Sequence, residues 1–510
     1  MTTVKGTTKT ATRAGALAPT GREVLRTLIG FACNQAFLFS LFYMGWNRSA
    51  SLGPWAFERI DVFFALISMA CVLAVLRRVT PQVRDAILTR NLLWCYAFLM
   101  ALGASVSLPL DTGVLGLAIE GLVVGAPFGC MLGAWGRAFV AIPHAQSVRG
   151  VLLSTALAAV FAFVLSAVSD VVPQALYLAN LLPFVAALLL SRTQPFCAKV
   201  QGEGRPAAPA AAEAPLSERL LASKDERAET MRLSRKVVSG AVLFGVSGGL
   251  METYASDPGM VATPTFPASL LLLALFCVGS LQVIGLGGPA REGDENVSGL
   301  LVSVYRMAML VMLSGYLFVP VLEPFGVPGD AIVLAGYLGL STVLISLFVL
   351  MAKISGADGA LSFSRGFAAL YFGEAAGLAL GNVLQLASPG GDMPFGVASS
   401  AGLVTLFVYL FLFTEADFVA LSHIVRQADR FGDACRAIAE RCKLSKRESE
   451  ILPMALRGRT AERIATELFI AKSTVDTHLR RIYAKCGVHT RQELIDLGEA
   501  EAKSLLERKE

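Results

Sequence analysis

Charge is scarce in this chain. Only 16% of its 510 residues are Asp, Glu, Lys or Arg, against about 25% in ordinary soluble domains. A single soluble enzyme of this size is excluded by that deficit, because its surface would need far more polar cover. Metal-ligand spacing is lacking too. The nine Cys form no CxxC pair, and the four His (His144, His423, His478, His489) are widely scattered. Most of the Cys lie within apolar runs, where the thiol acts as a small hydrophobe. A disulfide framework and a structural zinc site are therefore not expected. The first 22 residues are polar and basic with no apolar stretch, so they are not expected to be a secretory signal. No nucleophile–base motif and no phosphate-binding glycine loop occurs, so neither catalysis nor a cofactor is expected.

Apolar residues take the place of charge. They make up 55% of the chain, and the mean hydropathy is +0.61. A membrane-spanning helix needs about 20 mostly apolar residues. Twelve segments qualify: 24–46, 61–76, 91–110, 113–136, 149–168, 173–191, 237–254, 266–287, 298–320, 329–351, 365–387 and 394–413. The lipid bilayer is then an obligatory partner. Lys and Arg in the short loops set the expected orientation. With the N-terminus cytoplasmic, the inside loops hold nine (Arg77, Arg78, Arg84, Arg90, Arg137, Arg149, Arg291, Lys353, Arg365) and the outside loops two (Arg48, Arg59). An even span count returns the C-terminus to the cytoplasm, across what would be the cell inner membrane.

Composition divides the chain further. Residues 1–22 read as a disordered cytoplasmic tail, 23–191 as six spans, and 192–236 as a cytoplasmic linker. The linker stretch "EGRPAAPAAAEAPLSERLLASKDERAETMRLSRK" is Ala/Pro-rich and then charged, with a short helix expected near 216–234. Six further spans occupy 237–414. An amphipathic connector covers 415–443, a basic helical segment 444–497, and a charged tail 498–510.

Ionisable groups at membrane depth are costly and often functional. Glu120, Arg306 and Glu374 lie within spans. They are the candidate lining of a pocket for a small-molecule ligand of unknown identity. The competing reading is that Arg306 locks to a carboxylate or reaches the cytoplasmic face. Glycine-rich stretches such as "GVSGGL" (245–250) and "GEAAGLALG" (373–381) are expected chiefly to allow close helix packing.

The segment from Leu444 behaves differently. Over 443–491 it carries 11 Lys and Arg against 5 Asp and Glu. Such a local excess suits a phosphate-binding face. Periodicity predicts four short helices. The first covers about 445–457 and ends at Gly458. Thr460 caps the second, and a three-residue turn leads to a third over 472–485. Thr490 and Glu493 form a capping box for the fourth. Val475, Leu479 and Ile482 form the third helix's buried stripe. Its other face shows Lys472, Ser473, Asp476, Thr477, Arg480 and Arg481. Two short helices joined by a tight turn, the second basic outside, is the geometry that enters a major groove. Duplex DNA is the expected partner.

"LSKRESEIL", "IATEL", "STVDTHLRRIYAKCGV" and "TRQEL" resemble the LuxR-type DNA-binding domain over about 444–495. The resemblance implies that Arg447 and Glu448 hold the first helix to the others. It places Thr474, His478 and Lys485 at backbone-contacting positions. Ala471, Pro453 and Cys486 depart from that family's usual residues. Six spans, a long loop and six spans resemble the major facilitator superfamily in topology only. That superfamily's loop motif is barely suggested by "LRRVTPQVRD" (76–85).

The connector residues Ile424, Ala428, Phe431, Cys435, Ile438 and Cys442 repeat at coiled-coil spacing. They fit either a homodimer seam over 424–442 or an amphipathic helix packed on its own DNA-binding domain or on the underside of the membrane. The expected fold is thus all-α: a twelve-helix transmembrane bundle, six plus six, followed by a four-helix LuxR-type helix-turn-helix domain. The expected function is a bacterial membrane-embedded transcription regulator that senses a small molecule. The alternative is a secondary transporter with a regulatory DNA-binding tail. The orientation has a direct check. A reporter active only in the cytoplasm, fused after Glu510, should be active, and activity of an export-dependent reporter there would reverse the topology.

Overall fold

A computed structural model describes residues 21–507 except 46, 53–54, 107–112, 143, 198–223, 254–262, 287–295, 323–324, 326–328, 356–357, 388–392, 413, 415, 418–419, 421–430, 433 and 469. Its membrane part is a helical bundle. Helices α1 (Gly21–Tyr43), α2 (Ile60–Arg78), α3 (Pro81–Ile87), α4 (Arg90–Val106), α5 (Gly113–Val140), α6 (His144–Val171) and α7 (Leu182–Leu190) form the first half. A 3-10 turn, Pro173–Leu181, leads into α7, and a short α8 (Gln194–Cys197) follows it. The second half holds α9 (Lys224–Glu252), α10 (Phe266–Leu286), α11 (Asn296–Leu322), α12 (Gly329–Ser355), α13 (Gly359–Ala387) and α14 (Met393–Phe407). A π turn over Val408–Leu412 ends α14.

Each of the twelve expected segments falls on a helix. Among the described residues, nine helices are long and apolar enough to cross a membrane. The pair α3 and α4, bent by 57°, passes the same test only when taken together. The chain is a multi-span membrane protein. Helix α9 is continuous from the end of the linker into the seventh segment. The short linker helix expected near 216–234 is therefore the start of α9, and residues before 224 lie outside the described ones. One element was not expected. A two-stranded hairpin pairs Ala50 with Phe57 and Leu52 with Trp55. It is too short to show a strand pattern.

Glycine decides how the second half packs. Helices α9 and α13 cross with almost no side chain between them. A Cβ on Gly249 would sit 1.9 Å from the Glu374 backbone oxygen, and one on Gly373 would sit 2.0 Å from that of Val242. The backbones touch, as small-residue helix crossings permit. The packing role expected of both glycine-rich stretches is what this crossing shows. Helix α13 also packs on α2 and α5 of the first half, and α6 packs on α10 and α12. The core runs through both halves, with Trp135, Tyr305, Phe348 and Phe363 fully enclosed.

The C-terminal part has a separate core. It comprises α15 (Lys446–Leu456), α16 (Ala461–Leu468), α17 (Lys472–Cys486) and α18 (Arg491–Glu507). Ile451, Leu452, Ile464, Val475, Ile482 and Leu494 are fully buried in it. Pro453 lies inside α15 without breaking it. The stretch expected as a charged tail is helical as far as Glu507. Leu497 packs on the core and Glu501 is buried against Arg441, which extends the helix past its expected end.

Replacing Gly249 with Val would drive a side chain into the α13 backbone. Overpacking of that kind costs about 1–3 kcal/mol. Thermal unfolding of the purified protein in detergent should show a lower midpoint. An unchanged midpoint would mean that this crossing is not tight.

Candidate nucleic-acid interface and membrane cavity

The recognition surface starts from its caps. Ser445 accepts from the Glu448 backbone N–H, and the Glu448 carboxylate accepts from the Ser445 N–H at 2.7 Å. This capping box starts α15. Thr460 caps α16, its hydroxyl accepting from the Arg463 N–H. Gly487, at φ 70°, ends α17 in the left-handed region that glycine tolerates best. Thr490 and Glu493 cap α18 as expected. Glu493 accepts from the His489 N–H at 2.9 Å and from the Thr490 hydroxyl. These two bonds hold the Glu493 carboxyl below the usual carboxylate range.

Helix α17 buries Val475, Leu479 and Ile482. Lys472, Ser473, Thr474, Thr477, Arg480, Arg481 and Lys485 are exposed along the remaining faces. Ala471 at the N-cap has no side-chain hydrogen bond. The N–H groups of Lys472 and Ser473, at the start of α17, suit a phosphate oxygen, while that of Thr474 donates to the Ala471 carbonyl at 2.9 Å. His478 is half-buried, with Nδ1 buried and without a hydrogen-bond partner.

Two of these residues also serve the domain's own structure. Lys485 donates to the Glu448 carboxylate at 2.6 Å. Burial opposes the charge on Glu448. The hydrogen bonds from Lys485 and Ser445 outweigh it and hold the carboxyl below its ordinary range. Arg447 pairs with Glu450 at 2.6 Å and donates to the Leu468 carbonyl at 3.1 Å. Arg447 and Glu448 thus tie α15 to α16 and α17, as the resemblance implied. Lys472 pairs with Glu462 across the turn at 2.6 Å. Cys486 packs against Cys442, and burial pushes its thiol up to about 12, so it acts as apolar filler.

The connector is helical over 434–441. Cys435 and Ile438 are buried in the C-terminal domain's own core, with Cys442 packed at its edge. Phe431 lies under the Arg457 guanidinium at 4.0 Å. These four members of the 424–442 seam are occupied within the chain. Ile424 and Ala428 lie outside the described residues.

The three ionisable groups expected to share a pocket are not brought together. Glu120 pairs with Arg48 at 2.9 Å. Arg306 is exposed on α11. Glu374 is buried and lines a cavity formed by α1, α6, α12 and α13, together with Gln35, Tyr43, Tyr337 and Tyr371. A second cavity adjoins it and shares Tyr43 and Tyr337. It is also lined by Glu252, Tyr316 and Asp330.

Sequence reasoning missed the group beside these cavities. Arg59 precedes α2 and is only 1% exposed. Its place in a short loop makes it look like an outside-loop charge. Its guanidinium reaches Glu252 of α9 at 2.7 Å and donates to the Phe42 carbonyl. Its backbone is left-handed, at φ 57°, and Asn47 accepts from its N–H at 3.1 Å. A non-glycine residue held there is strained, and such strain collects at functional sites. Next to it, the Glu58 N–H donates to Asn382 of α13 at 2.7 Å. Both contacts join the two halves.

A second set of contacts joins the halves at the opposite end, where α2, α5 and α12 finish. Asp358 accepts from Arg84 at 3.0 Å and from Arg137 at 2.9 Å, and Arg137 also donates to Asp85 at 2.7 Å. Lys353 donates to Ser147 at 2.8 Å and to the Ile142 carbonyl. Arg84 and Asp85 close the "LRRVTPQVRD" stretch. Thr155 and Thr342 meet between the two ends at 3.3 Å.

Comparison with known proteins bears mainly on the C-terminal part. A family model described as "Bacterial regulatory proteins, luxR family" matches residues 442–497. The oxygen regulatory protein NreC of Staphylococcus aureus is 42% identical over 64 residues, which are 12% of this chain and 29% of NreC. The match therefore spans under a third of that relative's length. The bundle superposes loosely on solved transporters. The human organic anion transporter MFSD10 covers 79% of this chain and is matched over 100% of its own, at 14% identity and a TM-score of 0.48. The E. coli fucose:proton symporter FucP covers 80%, matched over 97% of its own, at 14% identity and a TM-score of 0.40. A bacterial homologue of the iron transporter ferroportin covers 79%, matched over 98% of its own, at 12% identity and a TM-score of 0.46. At these scores the bundle's architecture is read from its own helices.

Glu448→Gln removes a buried charge that serves both a cap and Lys485. Charge-assisted hydrogen bonds are worth about 1.5–3 kcal/mol. Chemical denaturation of a 415–510 fragment should show a loss of that order at neutral pH. Because the native carboxyl lies below its ordinary range, the contribution is complete above that range and is lost as the pH falls through the lowered value. Equal stability of parent and variant at pH 7 would remove this role. Residues 442–497 form a LuxR-type helix-turn-helix domain, carried at the C-terminal end of a multi-span membrane protein.

Proposed function

We propose that the chain is a one-component transcription regulator whose membrane bundle is the sensor. One observation carries this reading: a LuxR-type domain with a core of its own follows a bundle that holds cavities lined by aromatic rings and buried carboxylates. In this reading both termini and the DNA-binding domain are cytoplasmic. Lys472, Ser473, Thr474, Thr477, Arg480 and Arg481 meet the duplex, with His478 and Lys485 at the edge of the contact. Phosphate contacts position the helix, and base-edge contacts specify the site.

The bundle would act by population shift. Contacts at both ends hold the halves in the observed arrangement. A ligand that binds another arrangement better moves the balance, and full switching from 1:99 to 99:1 takes about 5.5 kcal/mol of differential affinity. The cavity pair around Glu374 and Glu252 is the sensing site in this account. Glu120 and Arg306 stand outside it. Pairing of DNA half-sites would use a surface other than Phe431, Cys435 and Ile438, which are occupied within the chain.

A secondary transporter carrying a DNA-binding tail is the second reading. The buried, charge-lined cavities favour it as much as they favour sensing. Uptake of a bound solute into sealed vesicles, driven by an ion gradient, would establish it.

Duplex binding by a 415–510 fragment tests the DNA half of the proposal. Affinity should fall steeply with salt. Arg481→Ala should weaken binding to all sequences alike. Thr477→Ala and Arg480→Ala should alter the preferred sequence. If none of the three substitutions changes binding at moderate salt, α17 is not the reading helix.

A further inference from the structure

The two adjoining cavities have an unequal inventory of hydrogen-bonding groups. Glu374, 3% exposed, and Glu252, 7% exposed, face them from α13 and α9. Asp330 lines the second cavity and accepts from Thr265. Gln35 lines the first. It is 6% exposed, and its Oε1 has no hydrogen-bond partner. Among the described lining residues there is no Lys, Arg or His. Arg59 reaches Glu252 from outside the lining. That contact is close but poorly aligned, since Glu252 Oε2 makes an ion pair without a proper hydrogen bond. Glu374 has Tyr337 as its hydrogen-bonding neighbour. The space therefore holds carboxylates, tyrosine hydroxyls and an unsatisfied amide oxygen, and no cation among its described lining residues. A buried carboxylate in such a place calls for a counter-charge or a proton.

The walls add a second constraint. Phe39, Phe42, Tyr43, Phe367 and Tyr371 surround the first cavity, and Tyr337 stands between the two. Aromatic faces attract cations and apolar groups alike. A strongly hydrated metal ion would gain little from such walls. An anion would meet two or three carboxylates and no described cation in the lining. We propose that these cavities bind a small organic cation, an apolar or aromatic body bearing one ammonium group. The ammonium sits between Glu374 and the Gln35 Oε1, and the body lies against the tyrosine and phenylalanine rings. This rests on the sensing reading above and names the ligand class of that same site. Glu252 lines the adjoining cavity across Tyr43 and Tyr337, so a cation beside Glu374 also acts through its charge on the carboxylate that Arg59 ties between the halves.

The test uses the purified full-length protein in lipid nanodiscs and three probes of one shape. Phenethylamine is the cation, 2-phenylethanol the neutral form and 3-phenylpropionate the anion. Ligand-dependent thermal stabilisation is the readout. Phenethylamine should stabilise the protein, with at least about tenfold higher affinity than either of the others. Glu374→Gln should weaken the amine at least about tenfold while leaving the alcohol unaffected. Should Glu374→Gln misfold, Gln35→Met removes one acceptor without touching a charge, and should weaken the amine selectively. Asp170→Asn, an exposed control at the far end of α6, should change nothing. Equal binding of amine and alcohol, tighter binding of the acid, or no stabilisation by the amine up to about 10 mM would each overturn the ligand class. The sensing reading fails separately. An amine that binds the protein yet leaves transcription from a responsive promoter unchanged keeps the ligand class and removes the sensor role.

Discussion

Arg59 and Glu252 form an ion pair that is almost wholly removed from solvent, with the carboxyl groups of Asp61 and Glu374 nearby. Breaking such a pair leaves an uncompensated buried charge, which costs about 3–5 kcal/mol. Much of the surrounding structure follows from keeping it intact. The hairpin after α1 and the left-handed backbone at Arg59 place the guanidinium. Asn47 and Asn382 satisfy the neighbouring backbone groups. The glycine crossing of α9 and α13 brings Glu252 and Glu374 to the same region. That constraint is what makes the site a candidate switch. A pair this costly to open by itself opens readily only when another charge replaces one partner.

The opposite end is tied by different chemistry. Asp358 gathers two arginines, and Lys353 caps the loop after α5. On the reading proposed above, the bundle exchanges one set of end contacts for the other, and packed interfaces of this kind are bistable rather than continuously deformable. In the proposed account, the DNA-binding domain reads that exchange from the end of α14. Because the domain has a core of its own, the bundle in that account acts on its placement and not on its fold.

Much of this was legible in the sequence. Apolar runs marked the membrane helices among the described residues, because a bilayer imposes its thickness on each crossing independently of the others. The helix-turn-helix was legible because its caps at Ser445, Thr460 and Thr490 and its stripe of Val475, Leu479 and Ile482 are local. What could not be read was pairing between distant elements. Arg59 looked like a loop charge, and its partner Glu252 lies near a span end in another half of the molecule. Arg306 and Glu120 looked as deep as Glu374 by position along their helices. Depth along a helix says nothing about which face a residue takes. The seam of Phe431, Cys435 and Ile438 shows the same limit. Coiled-coil spacing describes any helix with one apolar stripe, and here the stripe meets its own domain.

Two substitutions at opposite ends of the bundle test the central claim most directly. Asp358→Asn releases the end held by Arg84 and Arg137, and Glu252→Gln releases the end held by Arg59. If the bundle has two arrangements that bias the DNA-binding domain, the two variants favour opposite ones. The affinity of the full-length protein in nanodiscs for its DNA site should then shift in opposite directions. A 415–510 fragment, which lacks both residues, provides the unbiased reference affinity between them. Shifts in the same direction, or none in either variant, would contradict the account.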